Sequence, residues 1–92
     1  MSAEFIKLGP DMARSAQGFT VVFHPAGGVD YSDATGIKVR VDTELYAKPF
    51  RHVLYAKSKD LRSLTSSRAD EILANIQRAL GFLGRPSDIS RD

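Results

Sequence analysis

The chain has no cysteine and no tryptophan among its 92 residues, and it has no long hydrophobic run. The absence of cysteine excludes a disulfide framework and a zinc site built on thiolates. The apolar stretches are only a few residues long, whereas a membrane-spanning helix needs about 20 apolar residues. The N-terminal stretch contains Glu4 and Asp11 and lacks the apolar region of a secretory signal. We therefore expect a cytoplasmic protein that does not contact a membrane.

Histidine is scarce, which limits catalytic and metal chemistry. His24 and His52 are the only two histidines, and neither has the spacing that places two metal ligands on one helix face. No serine lies in a G-x-S-x-G turn, and the glycine pair 27–28 lacks the lysine and the helix of a phosphate-binding loop. The acidic turn 30–36 resembles the start of a calcium loop, but Val41 occupies the last position, where a glutamate is required. We expect no enzymatic activity, no metal and no cofactor.

The residues that are present are typical of a globular protein. Hydrophobic residues make up 42% of the chain and charged residues 26%, a balance that does not favour disorder. A chain of this length has room for one hydrophobic core. We predict a single domain over residues 1–92, in which a loosely attached segment 1–18 precedes a sheet 19–57, a helix 66–84 and a flexible tail 85–92.

The strongest pattern in the sequence is an amphipathic helix over residues 66–84. Apolar residues recur every three or four positions and form one stripe, which consists of Ala69, Ile72, Leu73, Ile76, Leu80 and Leu83. We expect the polar side chains to point away from this stripe, namely Asp70, Glu71, Asn75, Gln77 and Arg78. Ser67 is the predicted N-cap, with Thr65 as the alternative. Gly84 and the following Pro86 are predicted to end the helix.

Upstream of this helix, β-favouring runs alternate with turn residues. The candidate strands are 4–8, 19–24, 29–31, 37–42 and 52–56, whereas residues 11–18 are predicted to form a loop or one loose helical turn. Residues 37–42 alternate cleanly, so Ile37, Val39 and Val41 are expected to share a buried face. Strands and helices do not alternate, which argues against a parallel sheet. We predict an α+β fold with an antiparallel β-sheet of four to five short strands in a meander and one long C-terminal α-helix packed on one face.

The net charge of +2 conceals a local excess of positive charge. Residues 48–62 contain Lys48, Arg51, Lys57, Lys59 and Arg62 against Asp60 alone. Such a segment is either a solvated face or guarded edge strand, or an electrostatic docking patch for an acidic partner. Aromatic and basic residues are mixed over residues 46–62, as they are in proteins that bind single-stranded nucleic acid. The small net charge and the absence of an RNP-type sequence make nucleic acid the less favoured partner.

One further pattern runs through the second half of the chain. An alternating strand with Val39 and Val41 leads into Glu44-Leu45 and a bend, and a second strand ends in Leu54-Tyr55-Ala56. The helix then carries Arg68, Ile72, Ile76, Ala79-Leu80 and Gly84. Over residues 37–84 this pattern resembles the immunity protein 74 family of bacterial polymorphic toxin systems. The resemblance implies a cytoplasmic, non-enzymatic protein that binds and neutralises a toxin domain, and it makes Glu44 the most interesting matching residue.

We accordingly expect a non-enzymatic protein-binding domain of the immunity type, whose partner is a cognate toxin domain. Aromatic and arginine side chains are the favoured anchors of protein interfaces. The candidate partner-binding residues are Glu44, Tyr46, Lys48, Phe50, Arg51, Tyr55, Lys57 and Lys59. The alternative function is a small binding module, with nucleic acid as the ligand of residues 46–62.

Overall fold

A computed structural model describes residues 4–47 and 50–91 of the chain. In chain order the elements are β1 (Phe5–Gly9), β2 (Met12–Ser15), β3 (Thr20–Phe23), β4 (Val29–Ser32), β5 (Lys38–Val41), β6 (Thr43–Ala47), β7 (Phe50–Tyr55), a 3₁₀ turn (Leu61–Ser63), α1 (Ser66–Phe82) and β8 (Ser87–Ser90). The predicted α+β fold, with an antiparallel sheet and one long helix near the C-terminus, is confirmed. No helix among the described residues combines the length and the hydropathy that crossing a membrane requires.

The strands β1 to β5 form a five-stranded antiparallel meander, in which each strand pairs with its neighbours in sequence. Val21, Tyr31 and Val39 lie opposite one another across β3, β4 and β5, and all three are buried. The turn between β3 and β4 is tight because Gly27 and Gly28 adopt φ angles of 126° and 94°, a region that residues with a Cβ rarely enter. Side-chain alternation therefore gives this sheet one face that points into the core.

Three segments that were not predicted as strands belong to the sheets, namely β2, β6 and β8. Residues 44–47 were predicted only to lead into a bend, and they lie within β6. β2 lies within residues 11–18, so the prediction of a loop or helical turn is wrong there, and Ala13 and Ser15 of β2 are buried. β8 lies within residues 85–92, so the prediction of a flexible tail is wrong for this strand. It pairs in parallel with β7 and places Ile89 opposite Leu54. β8 contains one apolar residue, Ile89, which is too few to give a detectable alternation.

The strands β6, β7 and β8 form a second sheet, in that order. Asp42 alone separates β5 from β6, so one nearly continuous strand runs from the first sheet into the second. Its first half pairs with β4 and its second half with β7. The C=O of Asp42 accepts the N–H of Tyr55 at 2.9 Å, which fixes the start of the ladder between β6 and β7.

The helix α1 packs on β2, β3 and β8 and covers the hydrophobic core. The predicted apolar stripe is confirmed, because Ile72, Leu73, Ile76 and Leu80 are fully buried while Ala69 and Leu83 pack at the margin of the core. These side chains pack against the opposite side of the core. The buried residues there are Phe5, Ala13, Phe19, Val21, Phe23, Val29, Tyr31, Val39, Val41 and Leu54.

Two details of the helix differ from the prediction. Asn75 is only 9% exposed rather than turned away from the core, because its side chain accepts a hydrogen bond from Arg78 at 2.6 Å and lies 3.5 Å from the hydroxyl of Tyr31. The N-cap is Thr65, whose Oγ1 accepts the N–H of Arg68 at 3.2 Å. The predicted N-cap, Ser67, lies inside the first turn. The alternative N-cap is thus the correct one.

Candidate docking surface

The register of the second sheet gathers four of the predicted site residues on one face. Tyr46 lies opposite Arg51, and Glu44 lies opposite Val53. Successive side chains of a strand point to opposite faces, so these residues project away from the core residue Leu54. Asp88 joins them from β8, where it lies opposite Val53. We call this surface the tyrosine face, defined as Glu44, Tyr46, Arg51, Tyr55 and Asp88.

A hydrogen bond orients the two tyrosines of this face. The hydroxyl of Tyr55 donates to the carboxylate of Glu44. This bond, followed by a second one with Tyr46, raises the pKa of Tyr55 well above its usual value. The phenol is therefore protonated throughout the physiological range and acts as a donor. Tyr46 is 51% exposed, so a large aromatic surface lies beside this fixed pair.

An ion pair holds the other side of the tyrosine face. Arg51 donates to both carboxylate oxygens of Asp88, at 2.6 and 2.8 Å. The hydrogen bond to Arg51 lowers the pKa of Asp88, and the same bond raises the pKa of Arg51. Arg51 is thus a paired, oriented side chain, and its positive charge is balanced locally. The sequence did not indicate Asp88 as a site residue, because its segment was predicted to be a tail.

The remaining predicted site residues do not form one continuous patch with the tyrosine face. Lys57 and Lys59 are exposed on the turn that follows β7, and neither forms a salt bridge with a described residue. Lys48 lies outside the described residues, as does the side chain of Phe50. The acid in the basic segment, Asp60, accepts the backbone N–H of Arg40 at 2.9 Å, so its role is structural.

The edge of β5 that faces away from β4 is covered by side chains. Asp60 Oδ2 accepts the N–H of Arg40, and Ser58 Oγ accepts the N–H of Asp42 at 2.8 Å. Ser58 is 3% exposed and also donates to the C=O of Tyr55 at 2.6 Å. These bonds satisfy main-chain donors that would otherwise be available to another strand.

The edge of β6 is different, because β6 is the outermost strand of its sheet. The C=O of Asp42 points to β7, where it accepts the N–H of Tyr55. Since main-chain groups alternate along an antiparallel strand, those of Glu44 and Tyr46 also face β7, and those of Leu45 face outward. Leu45 is 50% exposed. The tyrosine face therefore borders a strand edge with an exposed apolar side chain.

A second polar cluster joins the β4–β5 turn to the helix. Asp33 Oδ1 accepts the N–H of Thr35 at 2.9 Å, and Asp33 Oδ2 forms an ion pair with Arg68 at 2.5 Å. The hydroxyl of Thr35 also donates to Asp33, and this bond is the main reason why the pKa of Asp33 is lowered. Burial raises the pKa of the neighbouring Tyr31. Asp33 is therefore engaged in building the turn and in anchoring α1.

Comparisons of the chain with protein-family models, with curated proteins and with solved structures find no match. Among the described residues, no three or more His, Asp or Glu side chains lie together as a metal site would require. The resemblance of residues 37–84 to the immunity family stays a prediction.

Proposed function

We propose that the protein is a non-enzymatic protein-binding domain and that its partner contacts the tyrosine face. The observation that carries this proposal is the half-exposed Tyr46 beside Tyr55, whose hydroxyl is fixed on Glu44. Tyrosine and arginine dominate the binding energy of protein interfaces. A side chain that is already oriented loses little conformational entropy on binding. The tyrosine face thus has both the residue types and the rigidity of an interface anchor.

The edge of β6 supports the same surface. Leu45 and Tyr46 are adjacent and half-exposed, and their side chains leave opposite faces of the strand. A partner that reaches over this edge buries both side chains in one contact. The covered edge of β5 is closed to such an approach, because Ser58 and Asp60 occupy its donors. This difference between the two edges supports the proposal that a partner docks on the side of β6.

We further infer that the partner is a bacterial toxin domain and that the protein neutralises it by occlusion, as an immunity protein of the cytoplasm does. The resemblance of residues 37–84 to the immunity protein 74 family supports this inference. Lys57 and Lys59 supply exposed positive charge at the end of β7. Exposed charges of this kind accelerate the encounter with an acidic partner.

The test begins with capture of the partner from the native host, followed by binding kinetics of three variants. Tyr46→Ala should weaken binding by at least about 2 kcal/mol, or roughly 30-fold, mainly through faster dissociation. The double variant Lys57→Glu, Lys59→Glu should mainly slow association. Ile6→Ala is the matched control, because Ile6 is an apolar side chain of β1 with 59% exposure. Binding that Tyr46→Ala leaves unchanged would contradict the proposal.

Nucleic acid is the second candidate ligand, and the mixture of Tyr46 with exposed Lys57 and Lys59 is the observation in its favour. Arg51 is paired with Asp88, which removes one cation from phosphate contact. Fluorescence anisotropy with a thymidine 20-mer at increasing salt separates the two functions. A nucleic-acid binder keeps sub-micromolar affinity at physiological salt, whereas we expect weak binding that disappears as counterions compete.

A further inference from the structure

A cavity of about 310 Å³ lies where the β3–β4 turn meets β6 and β7. Leu45 lines it, and this side chain points to the opposite side of β6 from the tyrosine face. We call it the Arg85 cavity, and its walls include Phe23, Thr43, Leu45, His52 and Arg85. None of these residues belongs to the tyrosine face, and Leu45 is the one residue that the cavity shares with the β6 edge proposed to contact the partner.

Arg85 is held in place at this cavity by three contacts. Its N–H donates to the C=O of Leu80 at 2.7 Å, which ties it to the end of α1. Its Nη2 donates to Asp11 Oδ1 at 2.5 Å, and its Cζ lies 4.6 Å from the centre of the Phe23 ring. A guanidinium over an aromatic face is stabilised by a cation–π interaction. The charged group is therefore oriented before any ligand arrives.

Two polar side chains at the cavity, Arg85 and Thr43, have donor hydrogens with no partner among the described residues. Asp11 engages only Nη2 of Arg85, Nε is buried beyond the reach of a ligand, and Nη1 has no acceptor among the described residues. Thr43 Oγ1 accepts the N–H of Gly28 at 2.8 Å, which leaves its own hydroxyl hydrogen available. A ligand with acceptor oxygens would satisfy the free donor hydrogens of both Arg85 and Thr43.

His52 adds a neutral polar group to the same wall. Its ring meets the Phe23 ring edge-on at 4.8 Å. Burial, and then the charge of Arg85, lowers the pKa of His52 below its usual value. The imidazole is therefore uncharged at neutral pH and contributes one N–H donor. Among the described residues that line the cavity, Arg85 is thus the single cation, and Asp11 already offsets its charge in part.

We propose that the Arg85 cavity binds a small organic monoanion, in which one carboxylate is attached to a compact apolar body. The carboxylate accepts hydrogen bonds from Arg85 and Thr43, and the apolar body packs on Phe23 and Leu45. A guanidinium matches the two oxygens of a carboxylate. A dianion such as phosphate is poorly matched, because one partly balanced cation cannot compensate two charges. The volume of the Arg85 cavity lies at the lower end of the range for ligand sites. The apolar part of the ligand is therefore limited to about one ring.

The test uses benzoate as the probe, benzamide as its neutral isostere and inorganic phosphate, at a pH above its second pKa, as the dianion. Each is titrated into the ¹⁵N-labelled full chain, and amide and side-chain shifts are followed by NMR. We expect saturable shifts at Leu45, His52 and Arg85 with benzoate, with a dissociation constant in the millimolar range that suits so small a ligand. Benzamide should bind about tenfold more weakly, because a charged acceptor forms the stronger hydrogen bond. Phosphate should not shift these signals.

Two variants and one control assign the shifts to the cavity. Arg85→Met should abolish benzoate binding. Leu45→Trp should also abolish it by filling the cavity, and this variant keeps the fold because Leu45 is half-exposed. Ile6→Trp places the same ring on an exposed site of β1 and should leave binding unchanged. The proposal is overturned if benzamide binds as well as benzoate or if Leu45→Trp retains the benzoate shifts. If Arg85→Met does not fold, Leu45→Trp decides alone.

Discussion

Replacing Ser58 by alanine removes one oxygen atom that closes the edge of β5. Ser58 Oγ accepts the N–H of Asp42 at 2.8 Å and donates to the C=O of Tyr55 at 2.6 Å, and the residue is almost fully buried. The C=O of Tyr55 keeps one partner in the variant, because the backbone N–H of Ser58 also donates to it at 3.1 Å. The N–H of Asp42 loses the partner described here. The variant therefore leaves a main-chain donor unsatisfied at the junction of the two sheets.

The magnitude of the loss follows from these two bonds. Each intramolecular hydrogen bond contributes about 0.5–1.5 kcal/mol net, so Ser58→Ala should destabilise the protein by about 1–3 kcal/mol. For a domain of this size, each kcal/mol corresponds to a decrease in Tm of about 4–8 °C. The change in buried apolar surface contributes little to this loss of stability, because alanine retains the Cβ of Ser58.

Urea denaturation followed by far-UV circular dichroism measures this loss directly. Ser63→Ala is the matched control, because Ser63 Oγ is exposed and donates only to the C=O of Asp60 at 2.9 Å. We expect this control to change the free energy of unfolding by less than about 0.5 kcal/mol. Equal losses in the two variants would refute the role of Ser58 in closing the edge of β5.

Two further predictions concern the helix and the pH dependence of stability. Thr65→Ala should lower the free energy of unfolding by about 1 kcal/mol because it removes the N-cap, whereas Ser67→Ala inside the first turn should be near neutral. Urea denaturation measures both losses, and a larger loss in Ser67→Ala would make Ser67 the cap. His52 has a lowered pKa in the folded state, so the unfolded chain binds more protons once the pH falls below about 6.5. Stability should therefore be complete above that pH and decline below it. In His52→Gln, Tm should decline less between pH 7.5 and 5.5 than in the wild type, and an identical decline would exclude this contribution of His52.

The parts of the fold that depend on local patterns could be predicted from the sequence. The apolar residues of α1 recur with the period of an α-helix. The four residues of this stripe that are fully buried, Ile72, Leu73, Ile76 and Leu80, were all predicted to face the core. The meander over β3, β4 and β5 was likewise predicted, because these are short strands separated by turns. Asn75 was not predicted to be buried, because its partners Tyr31 and Arg78 include a residue from a distant strand. Polarity alone does not reveal such a partner.

The convergence of Glu44, Tyr46, Arg51 and Tyr55 on one face also has a local origin. They lie on two strands that are adjacent in sequence, and alternation sets their direction once the register is fixed. Asp88 could not be assigned to this surface, because it reaches β7 only after the chain has passed through α1. The covering of the β5 edge by Ser58 and Asp60 depends equally on contacts between segments that are distant in sequence.

The parallel pairing of β8 with β7 also bears on the order in which the protein folds. The strands of the meander are joined to their partners by short turns, whereas α1 and its flanking segments separate Leu54 from its partner Ile89 in the sequence. Closing so long a segment costs more entropy than closing a hairpin, so the pairing of β8 is expected to be a late event. Arg51 acquires its partner Asp88 in that same event. On this expectation the tyrosine face is complete only after β8 has paired with β7, so recognition of this face would depend on the fully folded chain.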